Sequence, residues 1–207
     1  MLRFAFLIAT LSQAASAASP SFSFIYGGKP SAALLAEWER SAVRLPGTAE
    51  AQKREVTYFD PATGLSVREA VTEFNDFDAV EWVLYFKNTG SRDTPVLENI
   101  LPLDARYDST LKDPVVHYAR GAVCSMDDFR PELRRLNKDG ELRLQPGGGR
   151  SSSDFLPFFN IETAKDAGLI IAVGWTGEWA VSFRRAKGED FRVQAGMALT
   201  RLRLHPG

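Results

Sequence analysis

The chain has 207 residues, with 25 basic against 26 acidic side chains and a formal net charge of −1. That balance argues against a general nucleic-acid-binding surface. A hydrophobic content of 44% and a charged content of 25% are typical of a globular domain with a real core.

Residues 1–17 have the pattern of a secretory signal peptide. Arg3 precedes an apolar run at 4–11, and Ala15-Ser16-Ala17 fits the small-x-small cleavage motif. The apolar run is too short to span a membrane. The alternative is a short N-terminal core helix. The sequence therefore predicts a periplasmic or extracellular domain comprising residues 18–207.

The mature chain is predicted to begin with a strand at 22–26 that ends in the turn Gly27-Gly28. A short helix should follow, because Ser31 can cap it. Its apolar face would be formed by Leu34, Leu35, Trp38 and Ala42.

Period-two alternation is clearest at 80–87, where Val80, Trp82, Leu84 and Phe86 share one face, so Trp82 is expected in the core. Further strands are predicted at 55–59, 65–74, 115–121, 141–145, 168–174, 180–185, 191–195 and 199–204, and the two prolines of 94–104 predict an edge strand or an extended connection there. Roughly ten strands and one short helix predict an all-β antiparallel two-sheet sandwich.

Residues 147–179 contain the most distinctive motifs. A glycine- and serine-rich loop leads into an acid and an aromatic cluster, GGGRSSSDFLPFFN. A strand apolar on both faces follows at 168–174 and ends in GWTGEW, a turn between two tryptophans. The residues predict a β-rich core with an aromatic corner.

GGRSSSDFLPFFN followed by GWTGEW resembles the N-terminal domain of the glycoside hydrolase family 36 α-galactosidases, or melibiases. SFSFIYGGKPS and TPVLENILPLD resemble further segments of that domain, and the histidine strand at 115–121 with the loop DFRP at 128–131 matches more loosely. The resemblance covers most of the chain after the leader, but Cys124 has no place in it.

The resemblance implies a large supersandwich, similar to galactose mutarotase, which in the family precedes a (β/α)₈ catalytic barrel. The family hydrolyses terminal α-galactosides with retention, and its catalytic aspartates lie on the barrel in motifs that this sequence does not contain. No catalytic residue is therefore carried over. The implied partners are an α-galactoside carbohydrate and a barrel in a full-length protein.

The best candidate sugar-binding residues are Arg150, Asp154, Trp175 and Trp179. Sugars stack on exposed indole faces, while carboxylates and guanidinium groups hydrogen-bond to hydroxyls. The alternative is that both indoles fill the corner of the sandwich or a domain interface.

Other chemistry has weaker support. Two histidines and one cysteine give no zinc pattern and no intrachain disulfide, so neither a metal nor a cofactor is predicted. Cys124 is expected to be a small buried apolar residue. His117 could be the acid/base of a sandwich-fold epimerase, but an ordinary strand histidine is the alternative. Asp127 and Asp128 are expected in a solvated loop or as a turn cap.

These observations predict the non-catalytic N-terminal domain of a secreted α-galactosidase-like glycosidase. A free-standing secreted carbohydrate-binding module is the main alternative, and an epimerase or a structural exported domain also remain open. Gly207 is predicted to be an artificial or accidental end. The chain alone is then expected to expose an apolar face and to associate into homo-oligomers.

Overall fold

The structure is a computed structural model that describes residues 2–10, 21–107, 113–137, 139–165, 167–185 and 191–207, with side chains from residue 21 onward. The predicted cleavage motif at 15–17 lies outside the described residues. Within the described part of the chain, no helix is both long and apolar enough to cross a membrane.

The elements alternate between long strands and short connections. The strands are β1 (Leu2–Thr10), β2 (Ser23–Tyr26), β3 (Lys29–Pro30), β4 (Glu39–Leu45), β5 (Ala51–Phe59), β6 (Leu65–Phe74), β7 (Ala79–Asn88), β8 (Leu97–Leu101), β9 (Leu103–Tyr107), β10 (Val115–Ala119), β11 (Pro131–Arg135), β12 (Glu141–Leu144), β13 (Phe158–Ala164), β14 (Ala167–Val173), β15 (Trp179–Arg185), β16 (Phe191–Met197) and β17 (Arg201–Leu202). The helix α1 (Ser31–Leu34) is one turn long.

The strands form two layers. One is a nine-stranded sheet in the order β11-β10-β13-β14-β1-β7-β6-β5-β4. The other contains two four-stranded sheets, β12-β15-β16-β9 and β17-β8-β2-β3. These two sheets are continuous through β8 and β9, which follow one another across Pro102. All named strand pairs are antiparallel, and the predicted antiparallel sandwich is confirmed.

The core lies between the layers and is built by the alternation predicted for β7. Trp82 is only 5% exposed, and Leu84 and Phe86 are fully buried. The Phe86 ring meets Phe24 of β2 edge-on, with 5.4 Å between centroids. The indole Nε1 of Trp82 donates a hydrogen bond of 2.8 Å to the carbonyl oxygen of Pro102 in the opposite layer. The predicted core position of Trp82 is confirmed.

The predicted helix is shorter than its apolar pattern suggested. It ends at Leu34, and Glu39–Leu45 forms the edge strand β4, in which Ala42 pairs with Val56. Pairing along β5 overrides a local pattern that also fits a helix. The Ser31 hydroxyl does not cap the helix, because it accepts a 3.1 Å hydrogen bond from the backbone N–H of Phe24 instead.

The N-terminal segment is a strand in the middle of the nine-stranded sheet. Leu2–Thr10 lies between β7 and β14 and is antiparallel to both. The alternative of an N-terminal core helix is therefore wrong. The signal-peptide interpretation stays a prediction, and cleavage near Ala17 would separate β1 from the rest of the domain.

We predict that Trp82→Phe lowers the free energy of unfolding by about 1–3 kcal/mol, because it leaves the buried Pro102 carbonyl without this donor. Glu81→Gln, on the exposed face of the same strand, is the matched control and should change stability by no more than ~0.5 kcal/mol. Urea unfolding followed by circular dichroism measures both. Equal midpoints for Trp82→Phe and the parent chain would contradict this account.

Candidate functional site

The candidate residues lie at one end of the sandwich, in a region that we call the corner: residues 121–130, 147–157 and 174–179. The first two segments are joined through their backbones. Gly121 N–H donates to the Asp154 carbonyl at 2.9 Å, and Ala122 N–H donates to the Ser152 carbonyl at 2.8 Å. A Cβ at position 121 would lie 2.2 Å from the Ser152 oxygen, so this approach requires glycine.

Trp179 is a core residue. Its side chain is fully buried, its Nε1 donates to the Ser151 carbonyl at 2.7 Å, and its ring meets Phe159 edge-on at 5.7 Å. A sugar can stack only on an accessible indole face. The structure therefore supports the core alternative for Trp179 and leaves it out of any sugar site.

The other three candidates are accessible to different degrees. Trp175 is half-buried and packs on the core. Its Nε1 lies so close to Gly177 that a Cβ added at that glycine would be 2.9 Å from this nitrogen. Arg150 and Asp154 are exposed, and an Asp154 carboxylate oxygen accepts a 2.5 Å hydrogen bond from Gly147 N–H. That bond closes the glycine-rich loop, which gives Asp154 a structural role. Sugar contact by Arg150, Asp154 and Trp175 remains a prediction.

His117 has a carboxylate partner on the surface. Its Nε2 lies 2.6 Å from an Oε1 of Glu162 on the neighbouring strand β13, with side chains 38% and 50% exposed respectively. Exposed pairs of this kind contribute little to stability. The pair combines the residue types that an epimerase would need, but it lies on the partly exposed surface of the sheet and not in the corner.

The sequence predicted an exposed apolar face but did not place one in the corner. Val123, Met126 and Phe129 are 50%, 105% and 61% exposed, and we call these three residues the loop patch. All three belong to the segment 121–130. The one signal in the sequence was the pair of adjacent acids in this segment, interpreted as a solvated loop or turn cap.

Asp128 holds this loop in shape. Its carboxylate accepts hydrogen bonds from Val123 N–H and Cys124 N–H, both at 3.0 Å, and from the Ser125 hydroxyl at 3.3 Å. These hydrogen bonds, chiefly the one from Val123 N–H, hold the pKa of Asp128 below its usual range. The turn-cap interpretation of Asp128 is confirmed.

Cys124 is exposed at the tip of this loop, so the expectation of a buried cysteine is wrong. Its φ of 65° is in the left-handed region, as is the φ of 63° at Phe129.

Ion pairs brace the base of the loop. Glu132 accepts from Arg120 Nε at 2.7 Å and from Arg130 at 3.2 Å, and Arg130 also pairs with Asp127 at 2.9 Å. The Arg120 guanidinium lies 5.3 Å from the centre of the Phe155 ring. The loop is thus linked to both the sheet edge and the second corner segment.

Comparison with solved structures identifies the class of fold. The chain is similar to the GH36 α-galactosidase AgaA from Geobacillus stearothermophilus, in complexes with 1-deoxygalactonojirimycin (17% identity, TM-score 0.66), raffinose (16%, 0.65) and stachyose (16%, 0.64). Each likeness covers 97% of this chain and 30% of that chain. The β-sandwich that the sequence resemblance implied is therefore confirmed as a fold.

The other comparisons are narrower. No protein-family model matches. Among curated proteins, an epoxyqueuosine reductase of Salmonella typhimurium is 34% identical over 96 residues, which is 45% of this chain and 24% of that protein. The chain thus spans about a quarter to a third of the proteins that it matches.

We predict that Asp128→Ala raises the hydrogen-exchange rates of the Val123 and Cys124 amides, because both lose their acceptor. Asp76→Asn, an exposed acid in the turn between β6 and β7, is the control and should leave both rates unchanged. In the parent chain the folded-state pKa of Asp128 is lowered. Its stabilisation of the loop is therefore complete above the unfolded value of ~4 and is lost as pH falls through the folded-state pKa. Exchange rates that do not respond to Asp128→Ala would show that other contacts fix the loop.

Proposed function

We propose that this chain is the β-sandwich domain of an α-galactosidase-like glycoside hydrolase, non-catalytic by itself, which packs against a (β/α)₈ barrel in the full-length protein. The observation that carries the proposal is the fold likeness to α-galactosidases over 97% of the chain. The sequence motifs at 147–179 point to the same family independently. The likeness to a reductase spans less than half of the chain and carries less weight.

The loop patch supports a packing role. Exposed apolar clusters mark interaction surfaces when they are held together on one face. Val123, Met126 and Phe129 extend from a loop whose backbone is fixed by Asp128 and by the Glu132 ion pairs. We assign the barrel to this end of the sandwich, where the corner can also help to shape the edge of its sugar site.

The substrate class follows from the same family assignment. The full-length protein is proposed to hydrolyse terminal α-galactosides with retention of configuration. The chemistry requires two carboxylates about 5 Å apart across the scissile bond. In this proposal the barrel supplies both of them, and the sandwich supplies a wall of the site.

Export is part of the proposal. The leader of residues 1–17 directs the chain to the periplasm or the exterior, where the mature domain begins near Ala18. An extracytoplasmic location suits an enzyme that acts on oligosaccharides too large and polar to cross a membrane unaided.

A free-standing carbohydrate-binding module is the second candidate. The half-buried indole of Trp175 beside the turn at Gly177 favours it, because a partly accessible indole can stack on a galactose ring.

We predict that the purified chain does not hydrolyse 4-nitrophenyl α-galactoside, since both catalytic carboxylates are assigned to the barrel. Release of nitrophenol is the measurement. Turnover that is lost on replacing an acid of this chain, for example Glu162→Gln beside His117, would overturn the proposal and indicate catalysis within the sandwich.

Galactose titration of the same protein separates the two candidates. A change in tryptophan fluorescence that disappears in Trp175→Ala and persists in Trp38→Phe would favour the binding module. Trp38 is a suitable control because it packs against Phe24 and Tyr26 of β2, which do not belong to the corner.

We also predict that the loop patch drives self-association of the isolated chain. The double variant Met126→Ser/Phe129→Ser should shift the chain towards monomer in light scattering, because it removes the exposed apolar surface. Phe77→Ser is the matched control, since Phe77 is 74% exposed in the turn between β6 and β7. If Phe77→Ser has the larger effect, the docking face lies elsewhere on the sandwich.

A further inference from the structure

The centre of the nine-stranded sheet contains a slot for one strand. Residues 2–9 of β1 pair with β7, from Leu2 opposite Phe86 to Ala9 opposite Ala79. Residues 6–10 pair with β14, from Phe6 opposite Val173 to Thr10 opposite Leu169. Because β1 is antiparallel to both neighbours, β7 and β14 run parallel to each other, and β1 lies between them in the sheet.

The slot selects for alternating apolar residues. Even-numbered positions of β1 lie in register with buried residues of both neighbours: position 6 with Trp82 and Val173, and position 8 with Ile171. Odd-numbered positions align with the opposite face, where Glu81 and Ile170 are exposed. A strand shifted by one residue would present its apolar face to solvent.

The occupant of this slot is the segment with the signal-peptide pattern. Cleavage near Ala17 would divide the sheet into β11-β10-β13-β14 and β7-β6-β5-β4. The facing edges of β7 and β14 would then carry unpaired backbone N–H and C=O groups beside the core. Unpaired buried groups and open edges are both costly, so an exported domain needs another strand in this place.

The last residues of the chain lie beside one end of the slot. Asn88, the last residue of β7, donates from its Nδ2 to the Leu204 carbonyl at 2.9 Å. Thr94 bonds to Leu204 through its N–H and its hydroxyl, both at 3.0 Å, and His205 pairs with Asp93 at 2.7 Å. These contacts fix residues 204–205 against the connection that follows β7.

The direction in which a segment after Gly207 would enter the slot also fits the direction of β1. β1 begins opposite Phe86, two residues before Asn88, and runs from there along β7. A segment that continues beyond Gly207 starts near the same end. A short turn would let it enter the slot antiparallel to both β7 and β14, in the direction that β1 takes.

We propose that the slot between β7 and β14 is a strand-binding site that is filled, after leader cleavage, by an extended and alternately apolar segment following Gly207 in the full-length protein. This rests on the export proposed above. The leader occupies the slot before cleavage, and the following segment replaces it with the same pairing on both sides. The β-sandwich and whatever follows it are thereby joined through the centre of a sheet.

The test is a permuted chain that begins at Ala18 and carries residues 2–10 after Gly207 through a flexible linker of about five Gly and Ser residues. We expect a folded monomer in which the amides of β7 and β14 are as protected from hydrogen exchange as in the parent chain. The matched control carries Phe4→Asp, Phe6→Asp and Ile8→Asp in the appended strand and should lose that protection at least tenfold. A folded permutant with β7 and β14 no better protected than in this control would overturn the proposal.

A second measurement applies if the permuted chain does not fold. A protease site placed within residues 11–20 of the full chain allows β1 to be cut free, and a labelled peptide of residues 2–10 is then added. Exchange of the labelled peptide for the cut strand supports the strand-binding site, and no exchange overturns it.

The N-terminus of exported protein tests the occupant. Sequencing that starts near Ala18 supports replacement of the leader, whereas Met1 would overturn it and make β1 a permanent strand. None of these readouts involves α-galactoside hydrolysis, so failure of the strand proposal and failure of the proposed function can be told apart.

Discussion

The sandwich depends on a hydrogen bond that crosses its core, from the Trp82 indole to the Pro102 carbonyl. Pro102 lies between β8 and β9, where the chain passes from one four-stranded sheet into the other, and its buried carbonyl accepts from the Trp82 indole. Trp82 lies near the middle of β7, and the long strands β5 and β6 are arranged outward from β7. The one indole thus links the two layers at the position where β8 is followed by β9.

The corner and the centre of the nine-stranded sheet are held together in different ways. The corner is held by backbone bonds around Gly121 and by the indole of Trp179, and these contacts leave the loop patch as its accessible apolar surface. The centre of the nine-stranded sheet is instead filled by β1, which pairs with both β7 and β14. The proposed function uses the corner as a contact surface, and the strand-binding site makes the neighbouring polypeptide part of the fold.

Strong alternation made much of the fold predictable. The strand expected at 80–87 is β7, and the apolar run at 168–174 is β14 within one residue at each end. Edge strand β4 was missed because the pattern after Ser31 fits a helix equally well, and only pairing with β5 decides. Trp175 and Trp179 flank one turn, so their different burial comes from distant partners such as Ser151. The exposure of Cys124 was missed because a free cysteine is usually buried, and residue type does not reveal the loop in which it lies.

The fixed loop at 121–130 has a consequence for assembly. Because Asp128 and its donors hold the backbone before any partner arrives, the entropy of ordering the loop is lost when the domain folds. In the proposed full-length protein, a barrel that docks on Val123, Met126 and Phe129 would then meet a surface already in its final shape. Rigid surfaces of this kind associate at rates set by diffusion and orientation, without a slow conformational step. Loosening the loop would therefore slow assembly even if every contact in the finished interface were unchanged.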